Sequence, residues 1–131
     1  MRLPIRIYYE DTDCGGVVYY ANYLKYFERG RTELLRALGV STGLRKEGFL
    51  FVVRKAEAEY LAPCRYDDLI YLDTEISAST GATVTFRHSI IKEGSETEAV
   101  RGAVVLAAVG PDGRPARLPS QLRAALKTQG L

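Results

Sequence analysis

Apolar and polar positions alternate at the start of the chain, with Ile5, Ile7 and Tyr9 on one face and Arg6 and Tyr8 on the other. That period of two predicts a first strand, with Pro4 better suited to its beginning than to its middle. From Tyr20 the period lengthens. Tyr20, Tyr23, Leu24, Phe27, Arg31, Leu34, Leu35 and Leu38 form a broad stripe, and Lys25, Glu28, Arg29 and Glu33 fall largely off it. Such a stripe predicts a well-buried helix, with Gly39 as its stop. Gly30 inside the helix costs about 1 kcal/mol against alanine, so it predicts close contact with another backbone.

Beyond the helix the pattern returns to strands. Phe49 to Leu61 is rich in aromatic and β-branched residues and ends before Pro63. Ile70, Leu72, Thr74 and Ile76 alternate against Leu69, Tyr71, Asp73 and Glu75. Val84, Phe86, His88 and Ile90 share one face opposite Thr83, Thr85, Arg87 and Ser89. Glu98 to Val109 is a long Ala/Val segment able to pack against a helix, Pro111-Asp112-Gly113 is a turn, and Pro119 to Gln129 is a short terminal helix. One long helix must cover the apolar face of the antiparallel strands, so the class is α+β, a sheet wrapped around a helix. Residues 1–131 form a single domain. Sheet edges left open in so small a chain invite pairing with a second copy.

Composition narrows the partners. At 131 residues the chain buries roughly two thirds of its unfolded surface, so neither metal nor disulfide is needed for folding. A formal net charge of +2 is too weak to argue for nucleic acid or an anionic membrane. Cys14 and Cys64 read as structural thiols of a reducing compartment. No apolar run approaches the ~18 residues of a membrane span, and the first residues lack a signal-peptide core. The expectation is a cytoplasmic protein without integral membrane association. Nine tyrosines with no tryptophan suit half-wet pockets and interfaces.

Candidate chemistry gathers where the first strand ends. Glu10, Asp11 and Asp13 precede Gly15 and Gly16, and the helix follows. Free amides at a helix start stabilise a developing oxyanion, and a carboxylate in the same turn attacks a carbonyl or takes a proton from water. Asp13 and the amides from Gly16 to Tyr20 therefore form a minimal acyl-transfer site. Acids in this position also serve as caps and turn formers, and a structural turn stands beside the catalytic one as an alternative. Asp11 and Asp13 alone supply too few anchored oxygens for a dedicated cation site, so no metal is expected. His88, the single histidine, reads as buried and hydrogen-bonded, and Cys14 as pocket lining.

The run Tyr9-Glu10-Asp11-Thr12-Asp13-Cys14-Gly15-Gly16-Val17-Val18-Tyr19, continuing through Asn22-Tyr23-Leu24, resembles the opening motif of bacterial acyl-CoA thioesterases associated with the Tol–Pal envelope system. These are relatives of 4-hydroxybenzoyl-CoA thioesterase. Glu28 to Glu33, Phe51 to Lys55 and Tyr60 to Asp68 match as well. The resemblance implies a hot-dog fold, dimers or tetramers with active sites at subunit interfaces, and hydrolysis of an acyl-CoA thioester with no cofactor beyond the coenzyme A of the substrate. It places Asp13 as the catalytic carboxylate, nucleophile or general base, and the backbone amide of Tyr20 as the donor that polarises the carbonyl. Cys14, Gly16, Val17 and Tyr23 fall in the substrate pocket, and Arg54, Lys55, Arg65 and Arg87 are candidates for the CoA phosphates. Many envelope-associated relatives carry histidine where this chain has Tyr20, whereas the hydroxybenzoyl branch has tyrosine, so acyl class stays open. A non-catalytic acyl-CoA-binding or envelope-assembly protein is the other class compatible with the motif.

Overall fold

A computed structural model of the chain describes residues 1–40 and 50–131. Its strands are β1 (Arg2–Arg6), β2 (Leu50–Tyr60), β3 (Leu69–Ser79), β4 (Thr83–Lys92) and β5 (Glu98–Val109), and its helices are α1 (Asn22–Ala37) and α2 (Ser120–Thr128). The strands form one antiparallel sheet in the order β1-β3-β4-β5-β2. Helix α1 packs across β3 and β4. This is the hot-dog architecture.

Helix α1 buries Tyr23, Tyr26, Phe27, Gly30, Arg31, Leu34 and Leu35. Those residues recur at helical spacing and meet Ile70, Leu72, Ile76, Val84, Phe86 and Ile90 of the sheet in one core. Two glycines set how closely helix and sheet approach. A Cβ on Gly30 would collide with the side chains of Thr74 and Leu72, so the close contact is with side chains of β3 rather than with a second backbone. A Cβ on Gly102 would lie 2.5 Å from the Phe27 ring and 2.6 Å from the Glu57 carbonyl. The helix ends as expected at Gly39, whose φ of 77° is left-handed. There Gly39 N–H donates to the Arg36 carbonyl and Val40 N–H to that of Leu35, a Schellman closure.

The first strand departs from its expected bounds. It spans Arg2–Arg6 with Pro4 in the middle, and Tyr9–Asp11 turns into a 3-10 helix. Thr74 N–H donates to the Met1 carbonyl and Ile7 N–H to that of Asp68. By alternation the odd residues of β1 face β3, and the N–H that Pro4 lacks would point to the open edge. Proline is tolerated there because no ladder bond is lost, and it blunts that edge against pairing. The opposite edge differs. Strand β2 is 11 residues long, with Leu50, Val52, Val53 and Tyr60 exposed. Phe49, expected at its start, lies outside the described residues. Among the described residues no helix is long and apolar enough to cross a membrane.

Candidate active site

The acidic stretch after β1 resolves into separate roles. Asp11 is structural: Oδ2 accepts the Tyr8 N–H at 2.7 Å and Oδ1 accepts the Asn22 side-chain amide at 3.0 Å. The Asp11 carboxylate thus ties the 3-10 turn to the first residue of α1. Glu10 is exposed. Asp13 starts a tight turn in which its N–H donates to the Val17 carbonyl (2.9 Å) and its carbonyl accepts the Gly16 N–H (3.0 Å). Gly16 supplies the left-handed φ of 77° that this turn demands.

One oxygen of Asp13 is held and the other is not. Oδ1 accepts the Gly15 N–H at 2.8 Å, with the Val17 N–H farther off at 3.5 Å. Among the described residues no protein donor meets Oδ2. The whole turn is docked on the segment after β2: Val18 N–H donates to the Cys64 carbonyl at 2.8 Å, and Val17 forms a β-bridge with Arg65. The carboxylate is therefore anchored through one oxygen on a braced loop.

Asp13 lines a cavity of about 300 Å³ together with Val17, Val18, Tyr20, Tyr23 and Tyr60, closed by Leu61, Ala62 and Pro63. Three of the sequence candidates, Val17, Tyr20 and Tyr23, share this cavity with Asp13. Cys14 and Gly16 do not line it; they sit in the turn, where Gly16 shapes the backbone and Cys14 is exposed. Tyr23 is buried, and that burial, with the Cys64 side chain adding to it, pushes its phenol well above the ordinary range. Burial likewise raises the Cys64 thiol. Neutral side chains thus form the apolar back wall. Sequence patterning does not mark Val18, Tyr60, Leu61, Ala62 and Pro63 as pocket residues; the family-motif runs Tyr9 to Tyr19 and Tyr60 to Asp68 are the signals that contain them.

Helix α1 begins at Asn22 rather than at Tyr20, with Ala21 as a cap that carries no side-chain hydrogen bond. Tyr20 belongs to the preceding turn. Among the described residues no backbone carbonyl accepts its N–H, whereas Tyr19 N–H is taken by Asp11 and Asn22 N–H by Tyr19.

The basic candidates divide. Arg65 flanks the Asp13 turn through the Val17 bridge. Arg54 is the extra residue of a β-bulge between Val53 and Lys55, and Lys55 pairs with Glu57 at 2.9 Å. Arg87 lies on the outer sheet face, in a different cavity with Glu57, Glu59, Ser89, Glu98 and Arg101. His88 is buried on the inner face of β4 and does not line the Asp13 cavity. No cluster of three or more His, Cys, Asp or Glu side chains suited to a metal occurs among the described residues.

Comparison with known proteins matches residues 8–126 to the thioesterase-like superfamily. The chain is 41% identical over 128 residues to the acyl-CoA thioester hydrolase YbgC of Escherichia coli, covering 96% of this chain and 95% of that one. It is 45% identical over 91 residues to the acyl-CoA thioesterase YbgC of Haemophilus influenzae, covering 68% and 67% of the two chains. The crystal structure of a probable thioesterase from Bartonella henselae superposes with a TM-score of 0.82 at 37% identity, covering 91% of this chain and 98% of that one.

Proposed function

The chain belongs to the thioesterase-like superfamily and is an acyl-CoA thioester hydrolase, and from that premise we propose that Asp13 is its catalytic carboxylate. The observation that carries this is the asymmetry of Asp13. Its Oδ1 is fixed by Gly15, and the residue lines a cavity whose other walls are apolar and aromatic. Oδ2 is then the oxygen that acts. As general base it takes a proton from water while the water oxygen attacks the thioester carbonyl; as nucleophile it attacks that carbon itself, and water later cleaves the anhydride. Either way the C–S bond breaks, leaving a carboxylic acid and the coenzyme A thiol. Negative charge that develops on the carbonyl oxygen meets the Tyr20 N–H, a donor preset in the turn.

The acyl group fits between Tyr20, Tyr23 and Tyr60, and coenzyme A extends toward the surface. We place the chain in the Tol–Pal-associated branch, related to 4-hydroxybenzoyl-CoA thioesterase, on its motif from Tyr9 to Leu24. Two unpaired thiols suit a cytoplasmic setting. Association through β2 into a dimer, with further pairing to a tetramer, accounts for its exposed apolar edge.

Asn matches Asp in size but lacks the basic oxygen. Asp13→Asn lowers kcat by at least ~10²-fold while the melting temperature stays close to that of the wild type. A folded Asp13→Asn protein with near-normal kcat sinks the assignment. Purified protein that binds acyl-CoA without turnover supports the non-catalytic alternative.

A further inference from the structure

Tyr60 closes β2, where it pairs with Val100 of β5. The frame holding it is firm: Leu61 and Ala62 N–H groups both donate to the Ala99 carbonyl, at 2.8 and 3.0 Å. From there the Tyr60 hydroxyl reaches across and donates to the Tyr20 carbonyl at 3.3 Å. Its ring meets Tyr20 edge-on with centroids 6.2 Å apart and lies 5.6 Å from the Tyr23 ring. Among the described residues this is the one side-chain hydrogen bond to residues 19–21.

The turn it reaches has little else to hold it from that side. Ala21 caps α1 without a side-chain bond, and Tyr20 is 61% exposed, so burial does not fix the Tyr20 side chain. Yet a donor that stabilises a transition state has to be held within about 0.5 Å of its productive position. A misplacement of about 1 Å can cost ~10²-fold in rate. We propose that Tyr60 is a positioning residue for thioester hydrolysis: its hydroxyl pins the Tyr20–Ala21 peptide through the Tyr20 carbonyl, while its ring walls the acyl group between Tyr20 and Tyr23. Holding that carbonyl limits rotation at the Tyr20 Cα and so steadies the Tyr20 N–H on the other side of it. This rests on Asp13 and the Tyr20 amide forming the thioester site. The hydroxyl and the ring have separable effects, because one acts on the amide and the other on the bound acyl group.

The test uses the full chain and whichever acyl-CoA, from acetyl through palmitoyl plus benzoyl, the wild type hydrolyses fastest. Tyr60→Phe keeps the ring and loses the hydroxyl; kcat falls about tenfold, the loss of one hydrogen bond's worth of alignment, with KM within about twofold. Tyr60→Leu loses both, so kcat falls similarly and KM rises as well. Deuterium exchange at residues 19–22 speeds up in both variants. Tyr60 is 47% exposed, so neither change removes a core residue, and Tyr60→Leu carries the same kcat readout should Tyr60→Phe not fold. A packing role alone leaves kcat of Tyr60→Phe at the wild-type value. That result, beside an inactive Asp13→Asn, overturns the positioning role and leaves the site standing. A fully active Asp13→Asn, or a wild type that hydrolyses none of the panel, removes the site and the role of Tyr60 with it.

Discussion

The Nδ1 of His88 and the Oγ1 of Thr74 meet at 2.9 Å beneath helix α1, and the Phe27 ring stacks on the imidazole at a centroid distance of 4.4 Å. Burial, reinforced by the positive charge of Arg31, pushes the imidazole down to about 3 from its ordinary 6.5. The folded protein thus keeps His88 neutral where the unfolded chain binds a proton. A lowered pKa on a base means stability is unaffected above the unfolded value of 6.5 and falls as pH drops toward 3. Each pH unit in that window costs about 1.4 kcal/mol. Chemical denaturation of His88→Asn, measured from pH 7.5 to 4.0, shows lower stability than wild type at neutral pH and a flatter decline below pH ~6.5. Parallel declines for both proteins remove His88 as the cause.

Strand β2 is bare along its open edge, while Pro4 guards the opposite one. Val53 is exposed on this edge strand, so in the proposed association through β2 the substitution Val53→Lys adds a like charge from each chain to the interface. Such a juxtaposition costs several kcal/mol at an interface, so association weakens and Kd rises by at least ~10-fold, shifting the protein toward monomer. Sedimentation of wild type and variant checks this. A wild type that is monomeric at micromolar concentration and still hydrolyses substrate rules out the edge as an interface needed for activity.

Periodicity carried the fold well where burial was one-sided. In β3 and β4 the buried set coincides with the expected faces, and in α1 it does so only in part. Tyr23, Phe27, Arg31, Leu34 and Leu35 are buried, but Leu24 is exposed, Tyr20 lies outside the helix, and Tyr26 is buried although outside the expected stripe. The small residues of Glu98 to Val109 meet that helix through Gly102 and Phe27. Pro4 misled because its penalty depends on which way its missing N–H points, a property of pairing rather than of local sequence. The site was legible only in part. Asp13 stood out by lying between strand and helix, but Tyr60 is 40 positions from Tyr20, and no local pattern announces a contact across that separation. The separate roles of Asp11 and Asp13 were hidden for a related reason. Both are acids in one turn, and only hydrogen-bond partners distinguish a capping carboxylate from one with an oxygen to spare.

Arg65 sits beside the Asp13 turn, while Arg87 lies on the outer sheet face. Arginine's planar fork suits a phosphate oxygen pair, and losing one such contact is worth about tenfold in affinity. Arg65→Ala accordingly raises KM for acyl-CoA about tenfold and spares a short pantetheine thioester that lacks the nucleotide phosphates. Arg87→Ala leaves both substrates unchanged. Steady-state kinetics on the two substrates checks the pair, and the reverse ranking assigns the phosphates to the outer face.

Tyr20 offers three groups to the cavity region: a phenol, a ring and a backbone N–H. Its ring packs on Tyr19 at 5.0 Å and edge-on to Tyr60, and its carbonyl is already occupied by the Tyr60 hydroxyl. Its N–H has no backbone acceptor among the described residues. An unpaired amide held by a contact on the adjoining peptide, here the Tyr60 hydroxyl, is where an oxyanion gains most, because the donor needs little reorganisation when charge develops. Tyr20→Phe removes the phenol oxygen and leaves ring, carbonyl and amide in place, so kcat stays within ~3-fold of wild type if the backbone is the donor. Single-turnover hydrolysis at saturating substrate isolates the chemical step from product release. A chemical step slowed ~10²-fold at unchanged affinity, the cost of losing an oxyanion donor, shows instead that the phenol takes part in the reaction.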